Sequence, residues 1–166
     1  MRGSNALASM LIATLAELNR LGDSLAQALT ACSCPPLLLY GPLGAGKTAL
    51  TASICRAWPG CANAEVASPS FTVCNIYPGQ PQILHCDLYR SHALPEEVWE
   101  IADDGQLIVE WAEFLADPGP RHLDIYFNVV NDSRLLTCKA FGSDARAALT
   151  ALAADWPDPD APGAGG

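Results

Sequence analysis

One glycine-rich segment of this chain combines residue types whose spacing predicts chemistry. Residues 41–48 read GPLGAGKT and match the pattern GxxxxGK[ST] in full. Glycines let such a segment curl until successive backbone N–H groups point inward at phosphate oxygens, an arrangement that a Cβ would obstruct. Lys47 can then reach the β- and γ-phosphates, and the Thr48 hydroxyl can take one position in a Mg²⁺ shell. The predicted phosphate-binding residues are Gly41, Leu43, Gly44, Ala45, Gly46, Lys47 and Thr48.

The elements on either side of this segment are the ones that a phosphate-binding loop requires. Residues 35–40 form a short apolar run that ends at the loop, and residues 48–58 have helical character until Pro59 and Gly60 end the helix. The positive end of that helix would point at the same phosphates. This order of strand, loop and helix distinguishes the segment from a chance glycine-rich turn. We expect it to bind a nucleoside triphosphate, ATP with Mg²⁺.

Hydrolysis of a bound triphosphate requires further groups, and two acidic residues are candidates for them. A second carboxylate has to hold the metal or its water, and another group has to orient or activate the attacking water. Asp87 ends the apolar run at 83–87, and Glu110 ends the run at 107–110. The carboxyl ends of strands in an open α/β sheet face the ligand crevice, so either acid can approach Mg²⁺ beside Thr48. The sequence does not rank the two, and either could be an ordinary solvated acid.

The remaining patterns predict a mixed α/β domain. Leucines spaced by three and four between Leu7 and Leu29 predict an amphipathic helix near the start of the chain. The alternation at 68–77, a turn at 78–79 and the run at 82–87 predict a β-hairpin. Further strands are expected at 107–110, 122–130 and 134–141, and further helices at 95–102 and 143–154. We therefore predict a P-loop NTPase fold in three layers, with a mixed, mainly parallel central sheet and added antiparallel strands.

Length and composition predict one globular domain with a short tail. Of the 166 residues, 50% are hydrophobic and 16% are charged, which suits a compact protein. Residues 1–154 are expected to form the domain. Residues 155–166 are dominated by Asp, Pro, Gly and Ala and are expected to be disordered.

Charge and cysteine usage limit the partners and the compartment. With a formal net charge of −9, the surface as a whole repels phosphate backbones, so DNA is not an expected partner and RNA would be reached only through another protein. The seven cysteines include no CxxC pair, which favours free thiols in a reducing compartment. No run is long enough to span a bilayer, and the uncharged segment at 3–16 continues into an amphipathic pattern instead of ending as a signal peptide. We expect a cytoplasmic protein.

Four segments in a fixed order resemble the TsaE family, the bacterial ATPases needed to make N6-threonylcarbamoyladenosine in tRNA. They are GPLGAGKT at 41–48, SPSFT at 68–72, HCDLYR at 85–90 and IVEWAE at 108–113. The first segment is generic to P-loop proteins, whereas SP[ST]F, HxDLYR and [IV]EW in that order are much more specific. The resemblance extends over residues 18–140.

The resemblance implies roles for the matching residues. Lys47 and Thr48 would bind phosphate and Mg²⁺, and Glu110 would complete the metal site. Asp87 resembles the family's acid in HxDLYR, which is associated with hydrolysis. Ser70 lies in a segment, 68–72, that resembles a loop near the γ-phosphate and replaces the commoner threonine there.

Three later residues match positions that flank the nucleotide in the family. Trp111 and Glu113 follow the metal-site acid, and Arg134 resembles a late basic residue near the nucleotide. Ala112 replaces the usual proline of EWPE, which frees the backbone just after the acid. By residue type, Trp111 is expected to be a core or lid aromatic. His85 lies in the middle of a strand beside a cysteine and is expected to be a packed, hydrogen-bonded residue and not a base.

The resemblance also implies a partner, while two other functions remain open. In the family, ATP turnover is coupled to the TsaB–TsaD complex, which transfers the threonylcarbamoyl group to adenosine in tRNA. The resemblance implies a TsaB–TsaD-type complex as partner and contact with tRNA only indirectly. A small-molecule kinase would need an acceptor site and an arginine-bearing lid, for which only Arg90 and Arg121 lie in plausible middle segments. A nucleotide-sensing module would bind the triphosphate with negligible hydrolysis.

Overall fold

Seven strands and four helices make up the part of the chain that the computed structural model describes, residues 6–69 and 72–156. The strands are β1 (Ala6–Ile12), β2 (Leu37–Tyr40), β3 (Cys74–Tyr77), β4 (Ile83–Asp87), β5 (Gln106–Glu110), β6 (His122–Val130) and β7 (Ser133–Phe141). The helices are α1 (Leu15–Ala31), α2 (Lys47–Ala57), α3 (Glu96–Ala102) and α4 (Ser143–Asp155), and a single 3₁₀ turn spans Ala112–Phe114. None of these helices is long and apolar enough to cross a membrane.

All seven strands belong to one mixed sheet with the order β1-β7-β6-β2-β5-β4-β3. The four central strands β6, β2, β5 and β4 are mutually parallel. The antiparallel strands lie outside them, with β7 and β1 on one side and β3 on the other. This arrangement confirms the predicted mixed α/β sheet with a parallel centre and added antiparallel strands.

The helices cover the two faces of the sheet unequally. Successive side chains of β2 alternate between faces, as strand geometry requires. Leu37 and Leu39 pack in the larger core, which contains the buried residues of α1, α2 and α4. Leu38 packs on the other face in a smaller core that contains Val98 of α3. The molecule therefore has the predicted three layers, of which one is built mainly from α3 and the 3₁₀ turn.

The start of the chain differs from the sequence prediction. The helix expected from Leu7 onward is wrong there, because β1 occupies Ala6–Ile12 and pairs antiparallel with β7. The helix begins only after Thr14, whose hydroxyl accepts the Glu17 backbone N–H at 3.1 Å while the Glu17 carboxylate accepts the Thr14 N–H at 3.0 Å. This capping box is visible in the sequence as Thr-x-x-Glu and marks the true boundary. Leucine spacing alone does not show it.

The other predicted elements are confirmed with small shifts at their ends, and one strand is shorter than expected. β3 begins at Cys74, so residues 68–69 and 72–73 belong to the connection that precedes it and not to the strand predicted from 68. β3 and β4 pair antiparallel, as the predicted hairpin requires. The predicted tail lies almost entirely outside the described residues, since the description ends at residue 156.

All seven cysteines are free thiols, and their surroundings differ. Burial raises the pKa of Cys138 to about 12, and burial also raises the pKa of Cys34. Cys74 is opposite Cys86 in the β3–β4 pair, and interaction with the Cys86 thiol lowers the pKa of Cys74. Because the thiolate is the reactive form, Cys74 is expected to react faster than Cys34 or Cys138.

Replacing Thr14 with alanine should lower the free energy of unfolding by about 1 kcal/mol, because the first turn of α1 loses its side-chain acceptor. Urea unfolding followed by circular dichroism measures the change. Thr150→Ala is a matched control, since Thr150 is exposed in the interior of α4. If Thr14→Ala unfolded at the same urea concentration as the native chain, the cap would have no energetic role.

Brief alkylation of the native protein with iodoacetamide at pH 8 should modify Cys74 before Cys34 and Cys138. Peptide mass spectrometry at successive times gives the order of labelling. The preference for Cys74 should shrink as the pH is raised above 8, because the thiols with a raised pKa then gain thiolate. Labelling of Cys138 as fast as Cys74 would contradict this assignment.

Candidate functional site

The glycine-rich segment joins the carboxyl end of β2 to the amino end of α2, as predicted. Gly41 has φ of 153°, and a Cβ at this position would lie 2.8 Å from the Phe127 Cβ. Gly46 has φ of 110° and is the N-cap of α2, where it offers no side chain to the first turn. The backbone N–H groups at the start of α2 therefore have no side-chain cap, and a helix start of this kind favours an anion.

Lys47 points back into the loop that precedes it. Its ammonium group donates to the carbonyl oxygens of Gly41 at 2.6 Å and Pro42 at 3.0 Å, and it lies 4.1 Å from the centre of the Trp111 ring. The residue is only 4% exposed. Burial lowers the pKa of Lys47, and the charges of Glu110, Glu113 and Asp87 act in the opposite direction. The loop thus holds the buried positive charge of Lys47 in a chain whose net charge is negative.

Glu110 is the acid that the structure brings to the glycine-rich segment at 41–48, called the phosphate loop below. The Thr48 hydroxyl donates to Glu110 Oε1 at 2.7 Å. The same oxygen lies 2.7 Å from Nε2 of His85, which is completely buried in β4. His85 is therefore a packed, hydrogen-bonded residue, as predicted from its position, and Glu110 is its partner.

Asp87 lies beside Glu110 at the carboxyl ends of two neighbouring strands. The two residues are register partners at the ends of the parallel strands β4 and β5. Asp87 Oδ2 accepts from the Ser68 hydroxyl at 2.7 Å, and Oδ1 accepts from the Tyr89 N–H at 2.8 Å. Asp87 is partly exposed, whereas Glu110 is 3% exposed. The strand-end pattern left the two acids equivalent, whereas the family resemblance gave the metal site to Glu110. In the structure Glu110 is bonded to Thr48, and Asp87 is partly exposed.

The oxygen atoms at this edge fit a hard cation such as Mg²⁺. Thr48 Oγ1 and Glu110 Oε1 are neutral and anionic oxygen donors 2.7 Å apart, and Mg²⁺ prefers oxygen ligands of these kinds. Within residues 6–69 and 72–156 there is no group of three or more His, Cys, Asp or Glu side chains that could hold a metal ion. With Thr48 and Glu110 as its only protein ligands, a cation here would have to complete its shell with phosphate and water.

Trp111 adopts an unusual backbone conformation next to the two acids. Its φ of 56° and ψ of 45° are left-handed, and it precedes the 3₁₀ turn in which Ala112 is buried. Its ring contacts Lys47 on one side and the Tyr89 ring, with centroids 4.8 Å apart, on another. A bulky residue in this region of φ and ψ is strained, and such strain is concentrated at functional sites.

Two adjoining cavities open at the carboxyl ends of the central strands. A cavity of about 290 Å³ is lined by the phosphate loop together with Ser68, Asp87, Glu110 and Trp111. A larger cleft of about 590 Å³ shares Ser68, Asp87 and Trp111 and extends to Tyr89 and Arg90. The first is bounded by the glycine-rich loop and the start of α2, and the second lies on its Asp87 side.

A third cavity lies on the opposite side of the loop and was not predicted. It has a volume of about 200 Å³ and is lined by Ala45, Gly46, Arg134 and residues 12–14 at the β1–α1 junction. The Arg134 guanidinium donates to the carbonyl oxygens of Ala45 at 2.9 Å and Gly44 at 3.4 Å. Sequence reasoning missed the junction because it assigned residues 12–14 to the interior of a helix, although the Thr-x-x-Glu pattern marks a helix start there.

The structure brings together most of the predicted site residues. The phosphate loop, Asp87, Glu110 and Trp111 line one cavity, and Arg134 contacts the loop from the other side. Glu113 is exposed on the 3₁₀ turn, and its charge acts on Lys47. Ser70 lies outside the described residues, so its predicted place near the γ-phosphate stays a prediction.

Comparisons with known proteins agree on one family. The sequence model of the family described as "Threonylcarbamoyl adenosine biosynthesis protein TsaE" matches residues 12–136. A Mycobacterium tuberculosis protein named tRNA threonylcarbamoyladenosine biosynthesis protein TsaE is 33% identical over 141 residues, covering 75% of this chain and 79% of that protein. An Aquifex aeolicus protein of the same name is 34% identical over 96 residues, covering 57% of this chain and 68% of that protein.

A solved structure supports the fold independently. The crystal structure of Bacillus subtilis YdiB superposes with a TM-score of 0.69 at 22% identity, and the match covers 91% of this chain and 97% of that one. The identity is too low to show more than a shared fold. Together with the extent of the sequence match, these findings show that the chain belongs to the TsaE family.

Proposed function

We propose that the protein is a Mg²⁺-dependent ATPase with a P-loop NTPase fold that acts in the synthesis of threonylcarbamoyladenosine in tRNA. The observation that carries the proposal is the hydrogen bond between Thr48 and Glu110 beside a fully matched phosphate loop. A hydroxyl at the helix start and a carboxylate on a neighbouring strand are the two protein groups that hold Mg²⁺ in P-loop NTPases. Family membership and the names of the relatives supply the pathway.

The residues of the loop would bind the triphosphate through charge and backbone donors. Phosphate oxygens would take the place of the Gly41 and Pro42 carbonyls as partners of the Lys47 ammonium. The first turn of α2 would add backbone N–H groups from a helix end that favours anions. The cavity beside Arg134 and the β1–α1 junction would then receive the nucleoside on the other side of the loop.

Asp87 is the residue best placed to orient the attacking water. Both of its oxygens already accept a hydrogen bond, one from Ser68 and one from the Tyr89 backbone, and these contacts fix the plane of the carboxylate. The side chain remains partly exposed to the open cleft, whereas Glu110 is committed to Thr48 and His85. Mg²⁺, when bound, would neutralise charge that develops on the phosphates. Asp87 therefore acts on water, and Glu110 holds the metal.

The partner would be a protein complex of the TsaB–TsaD type. The relatives are named for threonylcarbamoyladenosine synthesis in tRNA, yet this chain has a net charge of −9. A strongly acidic surface does not favour direct binding to a phosphate backbone. ATP turnover would thus act on tRNA through the complex, with the site loops ordering around the γ-phosphate and relaxing after hydrolysis.

A small-molecule kinase is the second candidate, because the 590 Å³ cleft beside Asp87 could admit an acceptor. In that function Asp87 would take the proton of an acceptor hydroxyl, with Arg90 at the cleft wall. Incubation with γ-labelled ATP and no acceptor separates the two functions. Release of inorganic phosphate supports the ATPase, whereas label that is transferred to an added small acceptor, without release of inorganic phosphate, would favour the kinase.

Replacing Lys47 with alanine should weaken ATP binding by about 10-fold or more, because a buried charge-assisted contact to phosphate is lost. Phosphate release should fall to background both alone and with a TsaB–TsaD-type pair. Equilibrium binding of a fluorescent ATP analogue and a phosphate-release assay measure these effects. Lys139→Ala is the matched control, since Lys139 lies on β7 with its ammonium over the Tyr126 ring. Native chain that hydrolyses no ATP, alone or with the pair, would refute the ATPase.

Replacements at the two acids should have separable effects. Asp87→Asn should reduce the turnover number by about 100-fold or more while leaving nucleotide affinity unchanged, because it removes the water-orienting charge. Glu110→Gln should instead raise the Mg²⁺ concentration needed for half-maximal activity. Steady-state kinetics with Mg²⁺ titration distinguishes the two, and Asp104→Asn, at an exposed position, serves as the control. If Asp87→Asn hydrolysed ATP as fast as the native chain, a group other than Asp87 would orient the attacking water.

A further inference from the structure

A chain of hydrogen bonds, buried except at its Ala67 end, leads away from Glu110 through the sheet. Glu110 Oε1 contacts His85 Nε2 at 2.7 Å, and His85 Nδ1 lies 3.3 Å from the Tyr77 hydroxyl. That hydroxyl is also 3.3 Å from the backbone N–H of Ala67. His85 is completely buried, and Tyr77 is 7% exposed. The chain thus runs from β5 through β4 and β3 to the connection that precedes β3.

The end members of this chain have fixed roles as donor and acceptor. His85 Nε2–H donates to the Glu110 carboxylate, and the Ala67 N–H donates to the Tyr77 oxygen. The Tyr77 hydroxyl has two acceptors within reach, the Ala67 carbonyl oxygen at 3.2 Å and Nδ1 of His85 at 3.3 Å. The Ala67 carbonyl oxygen accepts from the side-chain amide of Asn75 at 3.2 Å. The histidine tautomer follows from its partners.

We infer that His85 and Tyr77 are positioning residues that fix the Glu110 carboxylate for Mg²⁺ and couple its orientation to the segment at 67–68. This inference rests on the proposed metal role of Glu110. Groups that hydrogen-bond a metal-ligating carboxylate set its orientation and change metal affinity by about 10- to 100-fold when they are removed. His85 is such a group, because it donates to the oxygen that also accepts from Thr48.

The segment at 67–68 connects the two acids of the site. Ala67 is linked to Glu110 through Tyr77 and His85, and the adjacent Ser68 donates to Asp87 at 2.7 Å. A displacement of this short segment therefore changes the surroundings of both carboxylates together.

A second buried histidine provides an internal control. His122 and Asp124 on β6 are 5% and 3% exposed, with His122 Nε2 3.7 Å from Asp124 Oδ1. Neither residue lines the phosphate cavity. Replacement of His122 therefore removes a buried imidazole beside a carboxylate without touching Glu110. It reproduces the packing and stability cost of a histidine replacement but not the proposed effect on the metal.

The decisive experiment compares His85→Leu, His85→Gln, Tyr77→Phe and His122→Leu with the native chain. The Mg²⁺ concentration for half-maximal ATP hydrolysis should rise about 10-fold or more in His85→Leu. His85→Gln should recover most of the affinity, because its amide nitrogen can donate from nearly the position of Nε2. Binding of a fluorescent ATP analogue in EDTA should be the same in all variants. His122→Leu should lose stability in urea and leave the Mg²⁺ dependence unchanged.

A readout that does not require ATPase activity tests the coupling itself. In amide hydrogen exchange followed by NMR, the Ala67 N–H should exchange faster in Tyr77→Phe, which removes its acceptor. The His85 imidazole should keep its proton on Nε2 in the native chain. An unchanged Ala67 amide in Tyr77→Phe, or an equal Mg²⁺ shift in His85→Leu and His122→Leu, would overturn the inference. If the native chain bound no nucleotide, the proposed function would be refuted. The NMR result would still show whether the Ala67 amide is coupled to His85 through Tyr77.

Discussion

The hydrogen bond between Thr48 and Glu110 joins residues 62 positions apart in the sequence and determines how the site is assembled. It can form only because β2 and β5 are adjacent, parallel and in a register that places Leu39 opposite Glu110. The phosphate loop leaves the end of β2, so a shift of one residue in β5 would turn the Glu110 side chain to the other face of the sheet. The register of the central strands is thus the constraint from which the geometry of the site follows.

The same register explains why oppositely charged groups can be buried together. Lys47, Glu110 and His85 are nearly inaccessible to solvent, and a lone buried charge at any of these positions would be costly. Each group has partners: loop carbonyls and an aromatic face for Lys47, and a hydroxyl and an imidazole for Glu110. A substitution at one member leaves another unpaired, so the effects of mutations in this group should not be additive.

The unequal layers of the fold leave one side of the site open. Helices α1, α2 and α4 pack on one face of the sheet, while α3 and the 3₁₀ turn cover only part of the other. The cleft beside Asp87, with exposed Leu43 and half-exposed Tyr89 at its edge, lies at this opening. Ala112 is buried at the start of the 3₁₀ turn, so this turn forms with alanine at the position where the sequence resemblance leads one to expect proline.

The sequence by itself determined the position of the glycine-rich loop, the two candidate acids and the mixed character of the sheet, because these depend on local patterns: glycine spacing, apolar runs that end in an acid, and alternation. It misplaced the first helix because a leucine repeat continues through β1, and strand pairing with β7 overrides it. Only the tertiary structure decided that Glu110 and not Asp87 bonds Thr48. It also decided that Glu110 has His85 as a buried partner and that His85 in turn contacts Tyr77. Those contacts depend on which strands are neighbours and in what register, and local patterns do not encode either.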